Sequence, residues 1–335
     1  MKKVGLSSIS FDNVYVRSYG VATGPKEKEG PLKNYFDYSY DDLYCHEDSW
    51  EKAEMRLMNQ SFLKALEKVN LSKDMIDYVI GGDLNNQIAI TSYTFKNAFI
   101  PTFGVFSACS TFTESIQLGS ILVSGGLAKN VLCITSSHNS TSERQFRYPT
   151  EYGGQKPSSM TSTATASGSI ILSTKRSNIK VIRATTGKII DIGTFDSQDM
   201  GRAMAPAAAV TLLEHLNDFN ITVSDYDLIL TGDLSTYGKV VFRKCLEVKG
   251  IDVSNNHEDA GVILYDTLKQ NVNAGGSGCG CVTAVTLSYV MKKIENKEYK
   301  KVLTLATGAL LNPIMTAQKL SVPCISHAIA FERVD

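Results

Sequence analysis

Apolar positions change their spacing along the chain, and each change marks the start or the end of a predicted element. Short apolar runs have the length of strands, whereas longer segments repeat apolar residues at the spacing of an α-helix. One predicted helix has Asp48 as its N-cap and Glu51 as the capping-box partner. A second begins at Ala205-Pro206, with proline in its first turn, and ends near Asn217.

One stretch of this pattern occurs twice. Residues 77–86 and residues 227–236 both read as a short apolar strand that ends in a Gly-Asp pair, and the offset is 227 − 77 = 150 residues. A second pair of strand-like runs follows, and each run is preceded by a helical segment that opens on small residues and cysteine, at Cys109 and at Cys279. A repeat of this length indicates a duplicated domain and not a solenoid.

The duplication predicts an α/β fold of two similar halves, in which helices cover largely parallel central strands. We place the N-terminal half at residues 1–177 and the C-terminal half at residues 178–335. A pseudo-twofold axis should superpose the two halves and bring Asp83 onto Asp233.

The composition is that of an ordinary globular protein, and it argues against several classes of function. Of 335 residues 43% are apolar, and 34 Lys and Arg balance 34 Asp and Glu, so no global field favours nucleic acid or an anionic membrane. We find neither a signal peptide nor an apolar run that could span a bilayer. Seven cysteines without a secretion signal indicate free thiols in a reducing compartment. We expect a soluble intracellular chain that reaches a membrane only through a partner.

Cys109 is the first candidate for chemistry, because an apolar strand-like run ends there and a helical segment begins. Ser110 and Thr111 are possible caps of that helix, whose dipole and free amides would lower the pKa of the thiol and hold an anion. The alternative is a small apolar residue of the core, as free cysteines often are. Cys279 and Cys281 are too close together for a zinc knuckle, and we predict no metal site.

Two irregular segments interrupt the pattern. Residues 20–47 are punctuated by glycine and proline and are expected to form a long packed loop. Residues 135–169 are rich in serine and threonine, and aromatic and cationic residues are mixed in their middle part. These residues are Arg144, Phe146, Arg147, Tyr148, Tyr152 and Lys156. A loop of this length in a compact domain is functional or disordered, and we favour a function.

Long matches over almost the whole chain give it a resemblance to a known family. The matching segments are residues 24–32, 82–84, 108–111, 136–139, 143–157, 196–201, 203–209, 274–279 and 306–311. On these residues the chain resembles the stage V sporulation protein AD family of endospore-forming bacteria, within the thiolase-like superfamily. The resemblance implies a layered α/β/α/β/α architecture of two halves, and thiolase-like folds usually form homodimers.

The same resemblance implies a function. The family binds dipicolinic acid (pyridine-2,6-dicarboxylate) and works with membrane proteins of a sporulation channel complex to load it into the developing spore. We therefore expect the chain to be associated with the inner membrane of the forespore or spore through those partners. No cofactor and no nucleic-acid partner is expected.

The chain departs at two positions from the condensing enzymes of this superfamily. A ketoacyl synthase that uses Cys, His and Asn needs the His after the strand at residues 227–231, where Gly232-Asp233 stands, and the Asn where Ser277 stands between glycines. Without these donors the thiol of Cys109 is poorly equipped for acyl transfer, and we predict a protein without condensing activity. His327 could supply an imidazole, although it reads equally well as a packed core residue. An active acyltransferase and a purely structural subunit are the alternatives.

Dipicolinate is flat and doubly anionic near neutral pH, so its site should combine an apolar slot with fixed donors and one or two cations. The expected ligand-binding residues are Asp83, Cys109, Thr111, His138, Arg144, Arg147, Lys156 and Ser277. Cys109 and the first amides of its helix would form the floor, loop cations would neutralise the carboxylates, and His138 would donate a hydrogen bond. Asp83 would orient an arginine or accept a hydrogen bond from a protonated ring nitrogen.

Overall fold

The structure is a computed structural model that describes residues 1–146 and 156–335. Its strands are β1 (Lys2–Val4), β2 (Ser8–Thr23), β3 (Tyr38–Ser39), β4 (Tyr78–Gly82), β5 (Thr102–Gly104), β6 (Asn130–Ser137), β7 (Ser162–Thr163), β8 (Ala166–Ser173), β9 (Ile179–Thr185), β10 (Leu228–Thr231), β11 (His257–Asp259), β12 (Gly276–Ser277), β13 (Lys301–Ala309) and β14 (Cys324–Arg333). Its helices are α1 (Pro25–Lys28), α2 (Trp50–Glu67), α3 (Ala89–Phe95), α4 (Thr111–Ser124), α5 (Asn139–Phe146), α6 (Met200–Phe219), α7 (Ser235–Glu247), α8 (Ala260–Ile263), α9 (Cys279–Val285), α10 (Met291–Glu295) and α11 (Pro313–Ala317).

The main sheet repeats one arrangement of five strands in each half of the chain. Its order is β11-β10-β13-β14-β9-β2-β8-β6-β4-β5, so that each half reads, from its outer edge inwards, third, second, fourth, fifth and first strand. In both halves the second strand pairs in parallel with the third and the fourth, and the fourth pairs antiparallel with the fifth. The halves meet where β2 and β9 pair antiparallel. The predicted duplicated α/β fold is confirmed, whereas the division at residues 177 and 178 stays a prediction.

Helices lie between and outside the two halves of the sheet. Helix α4 contacts β4 and β6 of the first half, β13 and β14 of the second half, and α9. Helix α2 packs on β2 and β8, and α6 packs on β13 and β14. The order of layers is therefore helix, sheet, helix, sheet, helix, and the central helix layer carries buried apolar residues such as Phe112 and Ile116 into the largest core cluster.

The predicted N-cap of α2, Asp48, is wrong by one residue. The helix begins at Trp50, so that Ser49 occupies the N-cap position, and its side chain makes no capping hydrogen bond. Asp48 lies one residue earlier and forms an ion pair with Lys52 at 2.7 Å. The predicted capping box between Asp48 and Glu51 therefore does not form.

The predicted start of α6 is also wrong. The helix begins at Met200, where the carboxylate of Asp199 accepts a hydrogen bond from the backbone N–H of Arg202 at 3.4 Å. Pro206 consequently lies inside the helix and not in its first turn. Proline removes one backbone donor there, and the helix nevertheless continues to Phe219 because its alanine-rich face packs on the sheet.

The two irregular segments contain more regular structure than the sequence indicates. Residues 20–47 include the end of β2, the single turn of α1 and the short β3. Within residues 135–169, strand β6 continues to Ser137 and helix α5 follows it directly. The interpretation of this segment as one long loop is therefore wrong for its first part and also for its end, where β7 lies and β8 begins. Residues 147–155 lie outside the described residues.

Candidate ligand-binding cavity

A narrow cavity of about 50 Å³ opens beside Cys109 and receives residues from both halves. It is lined by Leu84, Ala108, Cys109, Ser142, Phe146, Thr163, Met200, Met204, Ser277, Gly278, Ala309 and Leu311. Helix α5 contributes Ser142 and Phe146, and α6 contributes the two methionines. The wall is predominantly apolar, and none of its lining residues in the described part of the chain is a cation.

A tight turn before α4 presents Cys109 to this cavity. Ala108 has a φ of 49°, in the left-handed region, and the hydroxyl of Thr111 donates a hydrogen bond to the Ala108 carbonyl at 2.6 Å. The same hydroxyl accepts the backbone N–H of Ser107 at 3.0 Å. Thr111 is fully buried and holds the turn together, so the expectation that it contacts a ligand in this cavity is not supported.

The pKa of the Cys109 thiol is raised well above its usual value, contrary to our expectation that the helix would lower it. Burial is the largest cause, and the nearby carboxyl of Asp233 and thiol of Cys279 add to it. A helix dipole stabilises a thiolate by about 1 kcal/mol at a partly exposed helix terminus. Cys109 lies two residues before α4 at the bottom of a mainly apolar cavity, where the loss of hydration outweighs that contribution.

Asp233 stands where a condensing enzyme that uses Cys, His and Asn needs its histidine. It is not among the site residues that the sequence predicts. It lies in the second Gly-Asp turn with a φ of 64°, a conformation that Asp tolerates better than most residues. Its Oδ2 accepts the backbone N–H of Gly278 at 3.1 Å, and its side chain lies beside the thiols of Cys109 and Cys281. Burial raises the pKa of this carboxyl well above its usual value. The repeated Gly-Asp pair was the signal in the sequence that could have identified it.

Asp83, in the first Gly-Asp turn, does not line the cavity, and its carboxylate forms hydrogen bonds with neighbouring residues of the fold. Its carboxylate accepts the backbone N–H and the hydroxyl of Thr91, both at 2.8 Å, and the backbone N–H of Asn85 at 2.9 Å. It is fully buried close to the carboxyl of Glu54, and burial raises its pKa. The expected roles of orienting an arginine or accepting a ring N–H are not supported, because these three donors already occupy the carboxylate.

His138 is likewise occupied by the protein. Its Nε2 donates to the carbonyl of Leu43 at 2.7 Å, and its Nδ1 accepts the backbone N–H of Ser140 at 3.1 Å. Burial lowers its pKa to about 4, so the ring is neutral at pH 7. His138 does not line the cavity, and the prediction that it donates a hydrogen bond to the ligand is not supported.

The three predicted loop cations have different outcomes. Arg144 forms an ion pair with Glu51 and lies over the ring of Trp50, 5.6 Å from its centroid, so its guanidinium is directed away from the cavity. Lys156 forms an ion pair with Glu143 at 3.2 Å. Neither cation lines the cavity. Arg147 lies outside the described residues, and its assignment stays a prediction.

Of the predicted residues, Cys109 and Ser277 line the cavity together. The Ser277 hydroxyl accepts a hydrogen bond from the Thr161 hydroxyl at 2.8 Å. Sequence reasoning missed Ser142 and Phe146, which are four residues apart in α5 and therefore share one helix face. The buried hydroxyl of Ser142 has no hydrogen-bond partner within residues 1–146 and 156–335. The spacing of these two residues could have revealed them if α5 had been predicted as a helix.

His327 does not supply a base to Cys109. Its Nδ1 accepts the backbone N–H of Gly187 at 3.1 Å, which places the ring proton on Nε2, 3.3 Å from the Ser107 hydroxyl. That hydroxyl donates to a carboxylate oxygen of Glu114 at 2.7 Å. Burial lowers the pKa of His327 to about 4. The imidazole therefore links the halves as a packed residue of β14, as one of our two readings predicts.

The family model for stage V sporulation protein AD matches residues 5–332 of the chain. The stage V sporulation protein AD of Bacillus subtilis (strain 168) is 48% identical to it over 334 residues, which is 99% of this chain and 98% of that protein.

The chain belongs to the stage V sporulation protein AD family.

Solved structures similar to this family member are thiolase-like. The 3-oxoacyl-(acyl-carrier-protein) synthase III of Aquifex aeolicus VF5 aligns with a TM-score of 0.59 at 12% identity, over 95% of this chain and 99% of that chain. Cerulenin-bound OleA of Xanthomonas campestris aligns with a TM-score of 0.63 at 14% identity, over 96% of this chain and 98% of that chain. These similarities show that the sporulation protein has a thiolase-like fold.

Two further observations concern predicted absences. In the part of this sporulation protein that the structure describes, no helix is both long enough and apolar enough to cross a membrane. Within the same residues, no group of three or more His, Cys, Asp or Glu side chains is arranged to hold a metal ion. The predictions that the protein uses no metal and no cofactor stay predictions.

Proposed function

We propose that this sporulation protein binds dipicolinate in the cavity beside Cys109, has no condensing activity, and assists dipicolinate uptake into the developing spore together with membrane proteins. The observation that carries the proposal is the composition of the cavity. Within the described residues, its floor is a thiol without an imidazole base, and its apolar wall carries an aromatic ring and a buried hydroxyl that has no hydrogen-bond partner. Such a slot suits a flat aromatic ligand better than it suits acyl transfer.

Phe146 and Ser142 are the residues that we assign to ligand recognition. The ring of Phe146 provides an aromatic surface against which a pyridine ring can pack, and the methionines of α6 provide an adaptable apolar surface on another wall. The Ser142 hydroxyl is a buried donor without a partner in the described chain, so a ligand carboxylate would satisfy it. Cys109 and Ser277 complete the floor.

The charge of the ligand requires at least one cation in addition to these residues. No cation lines the cavity within residues 1–146 and 156–335. Of the predicted loop cations in that part of the chain, Arg144 is paired with Glu51 and Lys156 with Glu143. We assign this role to Arg147, which directly follows Phe146 in the sequence. A charge-assisted hydrogen bond to a carboxylate contributes about 1.5–3 kcal/mol.

We assign the membrane step to partner proteins of the same sporulation system, and we propose that the chain acts as a homodimer at the inner membrane of the forespore or spore. The family membership supports the sporulation context. Purification of the protein from sporulating cells with and without detergent, followed by identification of bound proteins, tests this assignment. Recovery of the protein alone, as a monomer, would contradict it.

Acyl transfer is the second candidate function, because the fold is similar to that of a 3-oxoacyl-(acyl-carrier-protein) synthase and Cys109 opens onto the cavity. The raised pKa of the thiol and the absence of an imidazole beside it in the described residues argue against this activity. Turnover of acetyl-CoA or malonyl thioesters that disappears in Cys109→Ala would establish the enzyme and refute our proposal.

Isothermal titration with dipicolinate, and separately with acyl-CoA, tests the binding proposal. We expect the wild type to bind dipicolinate and not acyl-CoA, and we expect Arg147→Ala to lose roughly 10- to 150-fold in affinity. Phe146→Ala should lose about tenfold through its packing surface. Arg144→Ala is the matched control, because its guanidinium is paired with Glu51, and it should bind like the wild type. Loss of affinity in Arg144→Ala but not in Arg147→Ala or Phe146→Ala would place the ligand elsewhere.

A further inference from the structure

The carboxyl of Asp233 lacks most of the partners that a buried charge needs. The residue is fully buried, and Oδ2 accepts one hydrogen bond, from the Gly278 amide at 3.1 Å. Oδ1 has no hydrogen-bond partner within the described residues, and Asp233 forms no ion pair there. An ionised carboxylate in such a position would lose several kcal/mol of hydration without compensation.

The groups that face Asp233 do not compensate a negative charge. The thiols of Cys109 and Cys281 lie beside it, and Asp259 is a second buried carboxyl close by. The thiol of Cys279 and the phenol of Tyr265 are also near enough to interact with it. None of these groups carries a positive charge. The carboxyl of Asp259 disfavours a second negative charge beside it, whereas the two thiols offer Asp233 only weak S–H donors.

We propose that Asp233 is an uncharged carboxylic acid in the folded protein and acts as a positioning residue, which holds the Gly278 amide at the cavity wall without placing a charge behind Cys109. Oδ1, which has no hydrogen-bond partner within the described residues, carries the proton, while Oδ2 accepts the Gly278 amide at the cavity wall. An acid that already holds its proton does not accept another from the thiol. Asp233 does not line the cavity and therefore acts through its lining neighbours, Gly278 and Cys109.

An uncharged floor has a consequence for the ligand. A thiolate at Cys109 or a carboxylate behind it would repel a doubly anionic ligand at a few ångströms, where the low dielectric of the interior strengthens the repulsion. Neutral groups at both positions remove this repulsion. This consequence rests on the proposed function, whereas the protonation state of Asp233 does not.

Infrared difference spectroscopy between the wild type and Asp233→Asn tests the protonation state directly. We expect the carbonyl band of a protonated carboxylic acid to be present in the wild type at pH 7 and to be lost in the variant. Asp252→Asn is the control, because Asp252 is exposed and hydrogen bonds from Ser254 lower its pKa, so this exchange should remove no such band. A carboxylate band in place of the acid band in the Asp233 difference spectrum would overturn the proposal.

The alkylation of Cys109 by iodoacetamide tests the effect on the thiol and needs only the wild type if Asp233→Asn does not fold. Peptide mass spectrometry follows Cys109, and the partly exposed Cys245 on α7 is the internal reference. We expect Cys109 to react more slowly than Cys245 at pH 7, and Asp233→Asn to leave its pH profile unchanged. Faster reaction of Cys109 than of Cys245 would overturn the proposal. So would an acceleration of about tenfold in Asp233→Asn, which corresponds to one pKa unit and to the removal of a negative charge.

Titration of the wild type with dipicolinate separates this proposal from the proposed function. Failure to bind dipicolinate would refute the function and leave the infrared and alkylation results valid. A carboxylate at position 233 in a protein that binds dipicolinate would refute this inference alone.

Discussion

The two Gly-Asp turns occupy equivalent places in the two halves, since each follows the second strand of its half, yet their carboxyl groups have opposite environments. Asp83 accepts three hydrogen bonds from Thr91 and Asn85 and holds its turn together. Within the described residues, Asp233 accepts one, from the Gly278 amide, and its side chain lies beside the thiol of Cys109. The same residue at the same topological position holds its own turn together in one half and lies beside a cavity-lining cysteine in the other.

The cysteines that follow the turns show the same division of roles. Cys279 opens α9, is fully buried, and its thiol donates to the carbonyl of Ser136 at 2.8 Å. Cys109 precedes α4, is partly exposed and lines the cavity. Duplication therefore supplies a symmetric framework, and the local hydrogen bonds differ between the two copies, so that Cys109 lines the cavity and Cys279 does not.

The largest expected difference between the two turns is the loss of unfolding free energy when each aspartate is changed to alanine. Asp83→Ala leaves two backbone N–H groups and a hydroxyl unpaired in the core, and we expect it to lower the free energy of unfolding by about 3 kcal/mol or more. Asp233→Ala leaves only the Gly278 amide unpaired and should cost about 1 kcal/mol. Urea denaturation of both variants measures the difference. Equal losses would show that the two turns are structurally equivalent.

Glu54, which lies beside Asp83 at the first turn, should make the free energy of unfolding depend on pH. Burial and the nearby Asp83 raise the pKa of Glu54 from its ordinary 4.5 to about 8, so the folded state holds a proton that the unfolded state has released between these values. The stability that Glu54 contributes is therefore greatest at low pH and falls as the pH rises through 8. Relative to Glu54→Gln, the wild type should lose about 1 kcal/mol of unfolding free energy between pH 7 and 9.

Denaturant titrations of both proteins at the two pH values provide the measurement. The histidines do not disturb it, because the ordinary pKa of histidine is near 6.5 and burial lowers the pKa of the buried histidines further. A difference between wild type and Glu54→Gln that does not change with pH would mean that Glu54 is already ionised at pH 7.

The smallest expected effect concerns the two cysteines. Cys279→Ala removes a buried sulfur atom and its hydrogen bond to Ser136, and we expect a loss of about 1 kcal/mol in unfolding free energy. Cys109→Ala enlarges an existing cavity and should change stability by less than about 0.5 kcal/mol. Thermal unfolding of both variants tests this order. A larger loss for Cys109→Ala would indicate that its contact with Asp233 stabilises the fold.

The fold was predictable because apolar strands followed by Gly-Asp pairs recur at a fixed offset, which indicates a duplication. The site was less predictable, because its composition depends on which face of a short helix points inwards. In α5, Ser142 and Phe146 face the cavity, whereas Arg144 faces Glu51. Because the sequence did not predict this helix, the charge of Arg144 made it the stronger candidate for ligand binding. The role of Asp233 depends on the approach of β10 to the turn before α4, a contact between halves that no local pattern encodes.

The antiparallel pairing of β2 with β9 makes the two halves one cooperative unit. Each of these strands is interior to the sheet, since β2 also pairs with β8 and β9 also pairs with β14. Separation of the chain between the halves would convert both strands into open edges that carry fully buried residues such as Val14 and Val181. Neither half is then expected to remain monomeric alone, and a mutation that loosens one half should increase hydrogen exchange in the other.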